Sequence, residues 1–491
     1  MFTDTSLNEL ETILQDAENA TKIFSKKSLA ARAGFMHEIA DSLKEAEPEL
    51  VAMAMQETNL PEARLKNELG RTCTQLRSYA DFCAGGQWMD IRIDTADENR
   101  NPPKPDIRKM MTALGPVLVF GASNFPFAYS TAGGDTACAF AAGCAVIVKA
   151  HPAHAATSEL VAAIILKTIE KLGLPKGLFA HVHGASNAVG EALVKHPAIK
   201  AVGFTGSFAG GKQIFDWGNQ RKDPIPVFAE MGSVNPVFLL PQKMNEDAAG
   251  FAKKYAASIT LGMGQFCTKP GILVGIANVD LDIFTDALAA EIKDTAPALM
   301  LHMGISKNYE EKKAIALAQE AVEEIAVTGK DVLPGQGKAA LAVVPAAAFI
   351  KNPQLQQEVF GPWSIIVKCR DITEMTAVAK TFEGQLTASF IATDDDMIAN
   401  GPLVDIAKNI CGRLVLNGVP TGVETGLSMQ HGGPFPASTD SRFTSVGGDG
   451  IRRFARPVAY QNWPEHLLPD ELSAGNPLGL WRTVNNIPGI H

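Results

Sequence analysis

The sequence has 491 residues, of which 46% are hydrophobic and 20% are charged. This balance is ordinary for a globular protein and excludes a wholly disordered chain, and the length predicts two or three structural units. The formal net charge is −9 at pH 7, which excludes a generally basic nucleic-acid binder.

The first part of the chain has the residue pattern of helices, and a pattern typical of extended segments follows it. Ser6 with Glu9 three residues later resembles a capping box, and a later helix is predicted over residues 62–82. Residues 90–94 alternate polar and apolar, a Pro-rich stretch follows at 101–105, and residues 107–112 extend again. We expect this later segment to leave the compact body of the protein.

From Gly115 onward the pattern is typical of an α/β fold. Short apolar runs alternate with helical segments, and the runs lie at residues 117–120, 145–148, 179–182, 201–204 and 227–229. Strands that are apolar throughout and separated by helices predict a parallel sheet covered on both faces. Such a sheet binds ligands beyond the carboxyl ends of its strands.

A second α/β unit begins after Met231. It contains a predicted helix over residues 247–261, ended by Gly262, and predicted strands at 272–274, 365–367 and 414–416. The tail from Arg456 reads as extended. The sequence carries no internal repeat and no low-complexity tract.

The seven cysteines are odd in number and form no CxxC pair. We therefore expect no disulfide framework, no metal site and a reducing compartment. No signal peptide is visible at the N-terminus, and the apolar stretches are too short or too interrupted to span a bilayer. We expect a cytoplasmic protein with neither membrane nor nucleic-acid partners.

Cys267 lies in the most informative loop, between Gly264 and Gly271, after a predicted helix and before a predicted strand. Most free cysteines are small buried hydrophobes, and the other six take that interpretation from their apolar or helical surroundings. A thiol in a polar, glycine-bracketed loop is instead accessible to a substrate, with a pKa that local donors lower. This context slightly favours a reactive Cys267.

Three other segments carry chemistry only in combination. Glu230 ends an apolar strand, where a helix cap or an exposed edge residue is the ordinary interpretation. Asn124 follows another strand and is by itself a turn residue, although its amide can donate to an oxyanion. Gly206 and Ser207 lie in a strand-to-helix turn, a common feature that also admits a phosphate at the helix N-terminus.

In this order the segments resemble the aldehyde dehydrogenase superfamily over essentially the whole chain. The marks of the resemblance are Asn-Phe-Pro at 124–126, Lys149 after a strand, Phe-Thr-Gly-Ser at 204–207, Glu-Met-Gly at 230–232, the Cys267 loop, and Glu-Val-Phe-Gly-Pro at 358–362. The combination is highly specific, whereas no single piece is. The resemblance implies an α/β fold made of a Rossmann-like cofactor domain (1–88 and 113–230), an α/β catalytic domain (231–455) and a small β oligomerisation arm (89–112 and 456–491).

Within the superfamily the sequence is most similar to α-ketoglutarate semialdehyde (2,5-dioxovalerate) dehydrogenases. The matching sequence segments are residues 121–126, 149–154, 429–434, 439–446 and 460–462. This similarity implies oxidation of α-ketoglutarate semialdehyde to 2-oxoglutarate. NADP-dependent fatty-aldehyde dehydrogenases are similar as well, so a fatty or broad-specificity aldehyde dehydrogenase is the alternative. Two further readings are a thiol-dependent esterase and a silent binding protein, and the joint presence of Cys267, Glu230 and Asn124 opposes the second.

The resemblance also implies a mechanism. The Cys267 thiolate attacks the aldehyde carbon, and the Asn124 amide and the Cys267 backbone N–H hold the oxyanion of the thiohemiacetal. Hydride transfer to the nicotinamide cofactor leaves a thioester, which water activated by Glu230 hydrolyses. Family members that pass the acyl group to coenzyme A typically lack this glutamate.

The same resemblance implies the cofactor contacts. Lys149 would meet the adenosine ribose, Gly206 and Ser207 would lie near the pyrophosphate, Glu358 would hold the nicotinamide ribose, and Phe360 would pack beside the nicotinamide. NAD-preferring relatives commonly carry a glutamate three residues after this lysine, where the present sequence has a proline, residue 152. Without that carboxylate a 2′-phosphate meets less repulsion, so NADP is expected ahead of NAD.

A dicarboxylate product implies a cation beside the substrate. Arg71, Arg77 and Arg442 are candidates, although a surface salt bridge is the ordinary role of any one of them. The exposed alternating strands of the arm need a partner edge, so a homodimer or homotetramer is expected.

Overall fold

The structure is a computed structural model that describes residues 2–490. The helices are α1 Leu7–Phe24, α2 Leu29–Glu45, α3 Glu47–Thr58, α4 Glu62–Gly85, α5 Gly134–Ala142, α6 Ala155–Lys171, α7 Asn187–Lys195, α8 Phe208–Asn219, α9 Pro241–Thr260, α10 Val279–Asp294, α11 Met303–Leu317, α12 Ala346–Lys351, α13 Ile372–Ala379, α14 Asp394–Ala399 and α15 Gly401–Ile410.

The strands follow the same chain order. They are β1 Arg92–Asp94, β2 Ile107–Ala113, β3 Val117–Phe120, β4 Val146–Lys149, β5 Phe179–Val182, β6 Ala201–Thr205, β7 Val227–Glu230, β8 Val237–Leu239, β9 Ile272–Ile276, β10 Ala298–Leu299, β11 Glu323–Val327, β12 Gln336–Gly337, β13 Ala340–Pro345, β14 Trp363–Cys369, β15 Gln385–Ile391, β16 Cys411–Leu416, β17 Ala455–Gln461, β18 Arg482–Val484 and β19 Ile487–Gly489.

The first large sheet is parallel and has the strand order β5-β4-β3-β6-β7. Its central strands are buried along nearly their whole length, because α5 and α6 and the helices that pack on them cover it. The four N-terminal helices belong to the same hydrophobic core. The predicted α/β fold with an apolar parallel sheet is therefore confirmed.

The second sheet has the order β11-β13-β14-β9-β8-β15-β16 and is parallel except for β11, which runs antiparallel to β13. Alternate residues of its strands belong to two different hydrophobic clusters, so both faces are buried. Its helix α9 begins earlier than predicted. Pro241 lies in the first turn, where proline is tolerated, and Asp247 interrupts the helix with a non-helical backbone (φ −161°, ψ 61°).

A third sheet joins two distant parts of the chain in the order β17-β2-β1-β18-β19. Strand β17 runs antiparallel to β2 along seven residue pairs, from the pair formed by residues 455 and 113 to that formed by residues 461 and 107. Large apolar side chains of this region are exposed, among them Trp463 and Trp481. No helix within residues 2–490 is both long and apolar enough to cross a membrane.

Candidate active site

Three chemically active side chains meet where the two large sheets face each other. Glu230 is the last residue of β7, Cys267 lies in the loop before β9, and His431 lies in the long segment between β16 and β17. The carboxylate oxygen, Sγ and imidazole nitrogen of these residues all lie within 4.8 Å of one another. The structure thus brings the predicted nucleophile and base together and adds a histidine.

Glu230 is buried, and each of its carboxylate oxygens lies close to a polar side chain. Its Oε1 lies 3.0 Å from His431 Nε2, and its Oε2 accepts a hydrogen bond from Ser445 Oγ at 2.5 Å. Burial by itself raises the pKa of this carboxyl group, but the imidazole and the hydroxyl outweigh it, so that the Glu230 pKa is lowered. The group is therefore an ionised carboxylate near neutral pH and can accept a proton.

The Cys267 thiol has the opposite tendency, and the sequence-based prediction of a lowered pKa is wrong. Burial raises its pKa well above the ordinary value, and the Glu230 and Glu358 carboxylates raise it further, whereas Arg71 opposes them. Local loop composition indicated donors, but the folded chain places two carboxylates around the sulfur. Cys267 Sγ also lies 3.6 Å from His431 Nε2. The resting sulfur is a thiol whose proton has acceptors close by.

The Cys267 loop is fixed from both sides. The Asn235 side-chain amide donates to the Cys267 carbonyl oxygen at 2.9 Å and to the Lys269 carbonyl oxygen at 3.0 Å. The Asn124 amide Nδ2 donates to the Gln265 carbonyl oxygen at 3.1 Å, two residues before the cysteine. Asn124 is thus located at the Cys267 loop, and the second N–H of its amide has no acceptor among residues 2–490.

One face of α4 supports this loop. Arg64, Glu68 and Arg71 are spaced i, i+4 and i+7, which places them on the same side of the helix. Arg64 Nη2 donates to the Asn124 carbonyl oxygen at 2.8 Å. The buried Glu68 accepts from the backbone N–H groups of Phe127 and Ala128 at 2.8 and 3.1 Å. The helix therefore holds the Asn-Phe-Pro loop in place.

Arg71 faces a cavity of about 280 Å³ that reaches Cys267. Its guanidinium carbon lies 5.7 Å from the ring centroid of Tyr129, and its buried Nε and Nη2 atoms have no hydrogen-bond partner within residues 2–490. The other two candidate cations lie elsewhere: Arg77 pairs with Asp41 at 2.6 Å and Arg442 with Asp440 at 2.5 Å, on exposed surfaces. Only Arg71 among the three lines the cavity.

A second cavity, of about 470 Å³, lies at the carboxyl ends of strands β3 to β6. Its lining includes Lys149 and Pro152 and contains no aspartate or glutamate side chain. Burial lowers the pKa of Lys149, and nearby Asp4, outside the lining, partly offsets this. Gly206 precedes α8 and Ser207 caps it, with Ser207 Oγ accepting from the Gly210 N–H at 3.3 Å. Gly210 lines the cavity.

Glu358 and Phe360 lie half-buried in the loop before β14. This loop packs closely against the Cys267 loop. A side chain at Gly264, which has φ +61°, would place its Cβ 2.3 Å from the Gly361 carbonyl oxygen. Burial raises the pKa of Glu358, and Lys269 opposes that effect. Burial also lowers the pKa of Lys269 to about 8. The Glu358 carboxylate is close enough to Cys267 to raise the pKa of its thiol.

The sequence analysis missed His431, Asn235 and the supporting role of α4. His431 lies inside the segment 429–434 that carries part of the resemblance, and Asn235 lies three residues after the Glu-Met-Gly segment, but nothing in their immediate neighbours marks them as site residues. The i, i+4, i+7 spacing of Arg64, Glu68 and Arg71 was visible in the sequence, and three charges on one helical face near a catalytic loop are the signal that could have identified them.

Sequence comparisons identify a known family and two similar proteins. The profile of the aldehyde dehydrogenase family matches residues 2–434. Alpha-ketoglutaric semialdehyde dehydrogenase 2 of Azospirillum brasilense is 44% identical over 96% of this chain and 90% of its own length. Alpha-ketoglutaric semialdehyde dehydrogenase of Acinetobacter baylyi is 43% identical over 99% of this chain and 93% of its own length.

Solved structures show the same fold. A 3,6-anhydro-L-galactose dehydrogenase, solved in complex with NAP, superposes with a TM-score of 0.78 at 20% sequence identity. The match covers 94% of this chain and 92% of that chain.

Proposed function

This chain belongs to the aldehyde dehydrogenase family, and on that premise we propose that it oxidises α-ketoglutarate semialdehyde to 2-oxoglutarate with NAD(P) as the hydride acceptor. Two relatives with more than 40% identity over nearly the full length carry that substrate in their names. The proposal assigns Cys267 as the nucleophile, Glu230 as the base and Asn124 as an oxyanion donor.

The observation that carries the substrate assignment is the guanidinium of Arg71. Two of its buried nitrogen atoms lack a partner within the described residues, and the side chain lines the cavity that reaches Cys267. A buried donor without a partner costs free energy, and a substrate carboxylate would satisfy it by a charge-assisted pair. A semialdehyde carries such a carboxylate at the end opposite its aldehyde carbon, so the two ends would meet Arg71 and Cys267.

The cavity at the carboxyl ends of β3 to β6 fits a dinucleotide cofactor. Its position is the one where open α/β sheets bind nucleotides, and the N-terminus of α8 adjoins it. We propose that Lys149 contacts the adenosine ribose, that Gly206 and Ser207 lie near the pyrophosphate, and that Glu358 and Phe360 contact the nicotinamide end. The absence of an acidic side chain in the cavity lining supports a preference for NADP, and a kcat/KM ratio that clearly favours NAD would contradict this preference.

The first step requires the Cys267 proton to leave. Glu230 is ionised and within 4.8 Å of Sγ, so it takes that proton as the sulfur attacks the aldehyde carbon. The S–C bond forms and the carbonyl electron pair moves to oxygen. The free N–H of the Asn124 amide and the Cys267 backbone N–H stabilise that oxyanion. When bound, the nicotinamide ring supplies the hydride acceptor that turns the thiohemiacetal into a thioester.

Hydrolysis uses the same carboxylate a second time. Glu230, its proton released, removes a proton from water as the water oxygen attacks the thioester carbon, and the C–S bond then breaks to return the Cys267 sulfur. His431 holds Oε1 of Glu230 at 3.0 Å and lowers the pKa of the carboxyl group, so the base is ionised at neutral pH. Ser445 fixes the other oxygen.

A substrate panel tests this assignment. Wild-type protein is assayed with α-ketoglutarate semialdehyde, succinic semialdehyde, pentanal and long-chain aldehydes, each with NADP and with NAD. Replacement of Arg71 by Met is expected to raise KM for the semialdehydes about 10- to 100-fold, because one charge-assisted contact is lost, and to leave the pentanal constants unchanged. Arg77→Met, on the same helix but paired with Asp41, is the matched control. Higher kcat/KM for long-chain aldehydes would instead support the fatty-aldehyde alternative.

We also propose the three-part division and the assembly that the sequence predicts: cofactor domain 1–88 and 113–230, catalytic domain 231–455 and arm 89–112 and 456–491. The exposed edge strand β17 and the exposed Trp463 and Trp481 support pairing of the arm with a second copy. Light scattering is expected to give a homodimer or homotetramer, and a monomer at micromolar concentration would contradict the assignment of the arm.

A further inference from the structure

A second cluster of ligating side chains lies at the outer edge of the first sheet. His181 is in the edge strand β5, His183 follows it two residues later, and Glu159 is on α6. Side chains two residues apart on an extended segment point to the same face, so both imidazoles reach the same point. The absence of a CxxC pair predicted no metal site, and that prediction took no account of this His-X-His pattern.

The three ligand atoms are already gathered. Glu159 Oε2 lies 2.9 Å from His181 Nδ1 and 2.9 Å from His183 Nε2, and the three atoms all lie within 4.8 Å of one another. Zinc binds imidazole nitrogen and carboxylate oxygen at about 2.0–2.2 Å, which places neighbouring ligands of a tetrahedral site about 3.3 Å apart. Both oxygen–nitrogen distances are therefore within a few tenths of an ångström of the spacing that a tetrahedral site requires.

The surroundings hold the two rings before any ion arrives. The Phe2 ring stacks on His183 with centroids 4.2 Å apart and planes 5° from parallel. Thr5 makes two hydrogen bonds to the His183 backbone. Its N–H donates to the His183 carbonyl oxygen at 3.0 Å, and its Oγ1 accepts from the His183 N–H at 3.1 Å. The His181 side chain is 3% exposed, whereas that of Glu159 is 51% exposed. An ion therefore has access from the carboxylate side, and water can complete the coordination.

We propose that Glu159, His181 and His183 form a binding site for a divalent transition-metal ion of the Zn²⁺ class. Two imidazoles and one carboxylate suit zinc, cobalt, nickel and copper, whereas magnesium and calcium prefer oxygen ligands. The bound ion would join α6 to β5 and to His183, which the N-terminal residues Phe2 and Thr5 contact. It lies beside the loop that Asp4 holds through the Ala185 N–H at 2.8 Å, and Ala185 lines the cavity assigned to the cofactor. Its function is structural stabilisation of this edge.

The competing explanation is a carboxylate that merely accepts two hydrogen bonds. Glu159→Gln separates the two, since an amide oxygen still accepts hydrogen bonds but is a much weaker metal ligand than a carboxylate. His183→Ala removes a ligand directly. His196→Ala is the matched control because His196 pairs with a single carboxylate, Glu11, at 3.0 Å on the same half of the protein. All variants are made in a Cys267→Ala background, which removes the thiol from the separate Glu230, Cys267 and His431 cluster.

The full-length proteins are stripped with chelator and titrated with Co²⁺, followed by its visible absorption bands, and with Zn²⁺, followed by the melting temperature. The expected result is one Co²⁺ per chain and a Zn²⁺-dependent rise in melting temperature, both retained in His196→Ala. The affinity for Co²⁺ is expected to fall at least 10-fold in both Glu159→Gln and His183→Ala. If His183→Ala does not fold in chelator, Glu159→Gln decides. The absence of Co²⁺ bands at millimolar metal, or unchanged affinity in Glu159→Gln, would overturn the proposal.

Discussion

Replacing Glu230 by Gln should lower the pKa of the Cys267 thiol. The carboxylate lies within 4.8 Å of Sγ and is one of the two charges that raise this pKa. Coulomb's law at 4.8 Å with an effective dielectric constant of about 20 gives about 3.5 kcal/mol for the repulsion that the substitution removes. Burial, the larger cause, persists in the variant, so we expect the pKa of the thiol to fall and the midpoint to stay alkaline.

The assay is the rate of iodoacetamide labelling of Cys267 in cofactor-free protein, measured by peptide mass spectrometry at a series of pH values. The thiolate is the reactive form, so the rate rises with pH and levels off above the thiol pKa. Glu191→Gln, a substitution at a surface residue that pairs with Lys195, should leave the midpoint unchanged. A midpoint in Glu230→Gln equal to or above that of the wild type would refute the electrostatic account of this site.

Three further perturbations test separate parts of the structure. Asn124→Ala should lower kcat about 10²–10³-fold with little change in KM, because one oxyanion donor is lost while Asn235 still clamps the Cys267 loop. His431→Ala should move the acidic limb of the kcat–pH profile to higher pH. The imidazole lowers the Glu230 pKa, so without it the Glu230 carboxyl group stays protonated to a higher pH. Phe35→Ala should reduce the free energy of unfolding by about 3–5 kcal/mol in denaturant titration, because Phe35 is fully buried and packs edge-to-face on Phe24 and Phe140.

The α/β elements could be predicted because their signals are local. The strands of the first sheet are short apolar runs bounded by helices, and their positions match within one or two residues. The helix α9 was predicted from residue 247, whereas it begins at Pro241, and Asp247 interrupts the helical backbone at the predicted start. Helix propensity describes single residues, whereas the N-terminal boundary of α9 depends on how the first turns of the helix pack.

The site was predictable only in part for the same reason. Asn124, Glu230 and Cys267 each follow a strand or precede one, so topology brings them together. His431 is 164 residues from Cys267 in sequence, and the contact between Sγ and Nε2 exists only after the β16–β17 segment folds back. The thiol pKa was misjudged because the carboxylates that raise it come from two other segments. Distance in sequence, not residue type, concealed both features.

Trapping of the acyl-enzyme tests the central claim most directly. Glu230→Gln protein is mixed with α-ketoglutarate semialdehyde and NADP at alkaline pH, where the Cys267 thiol ionises without the Glu230 carboxylate. It should reduce no more than one cofactor per active site and retain an acyl group on the peptide that contains Cys267. Wild-type protein under the same conditions should turn over continuously, and Cys267→Ala should do neither. Continued turnover by Cys267→Ala, or an acyl group attached at another residue, would contradict the account.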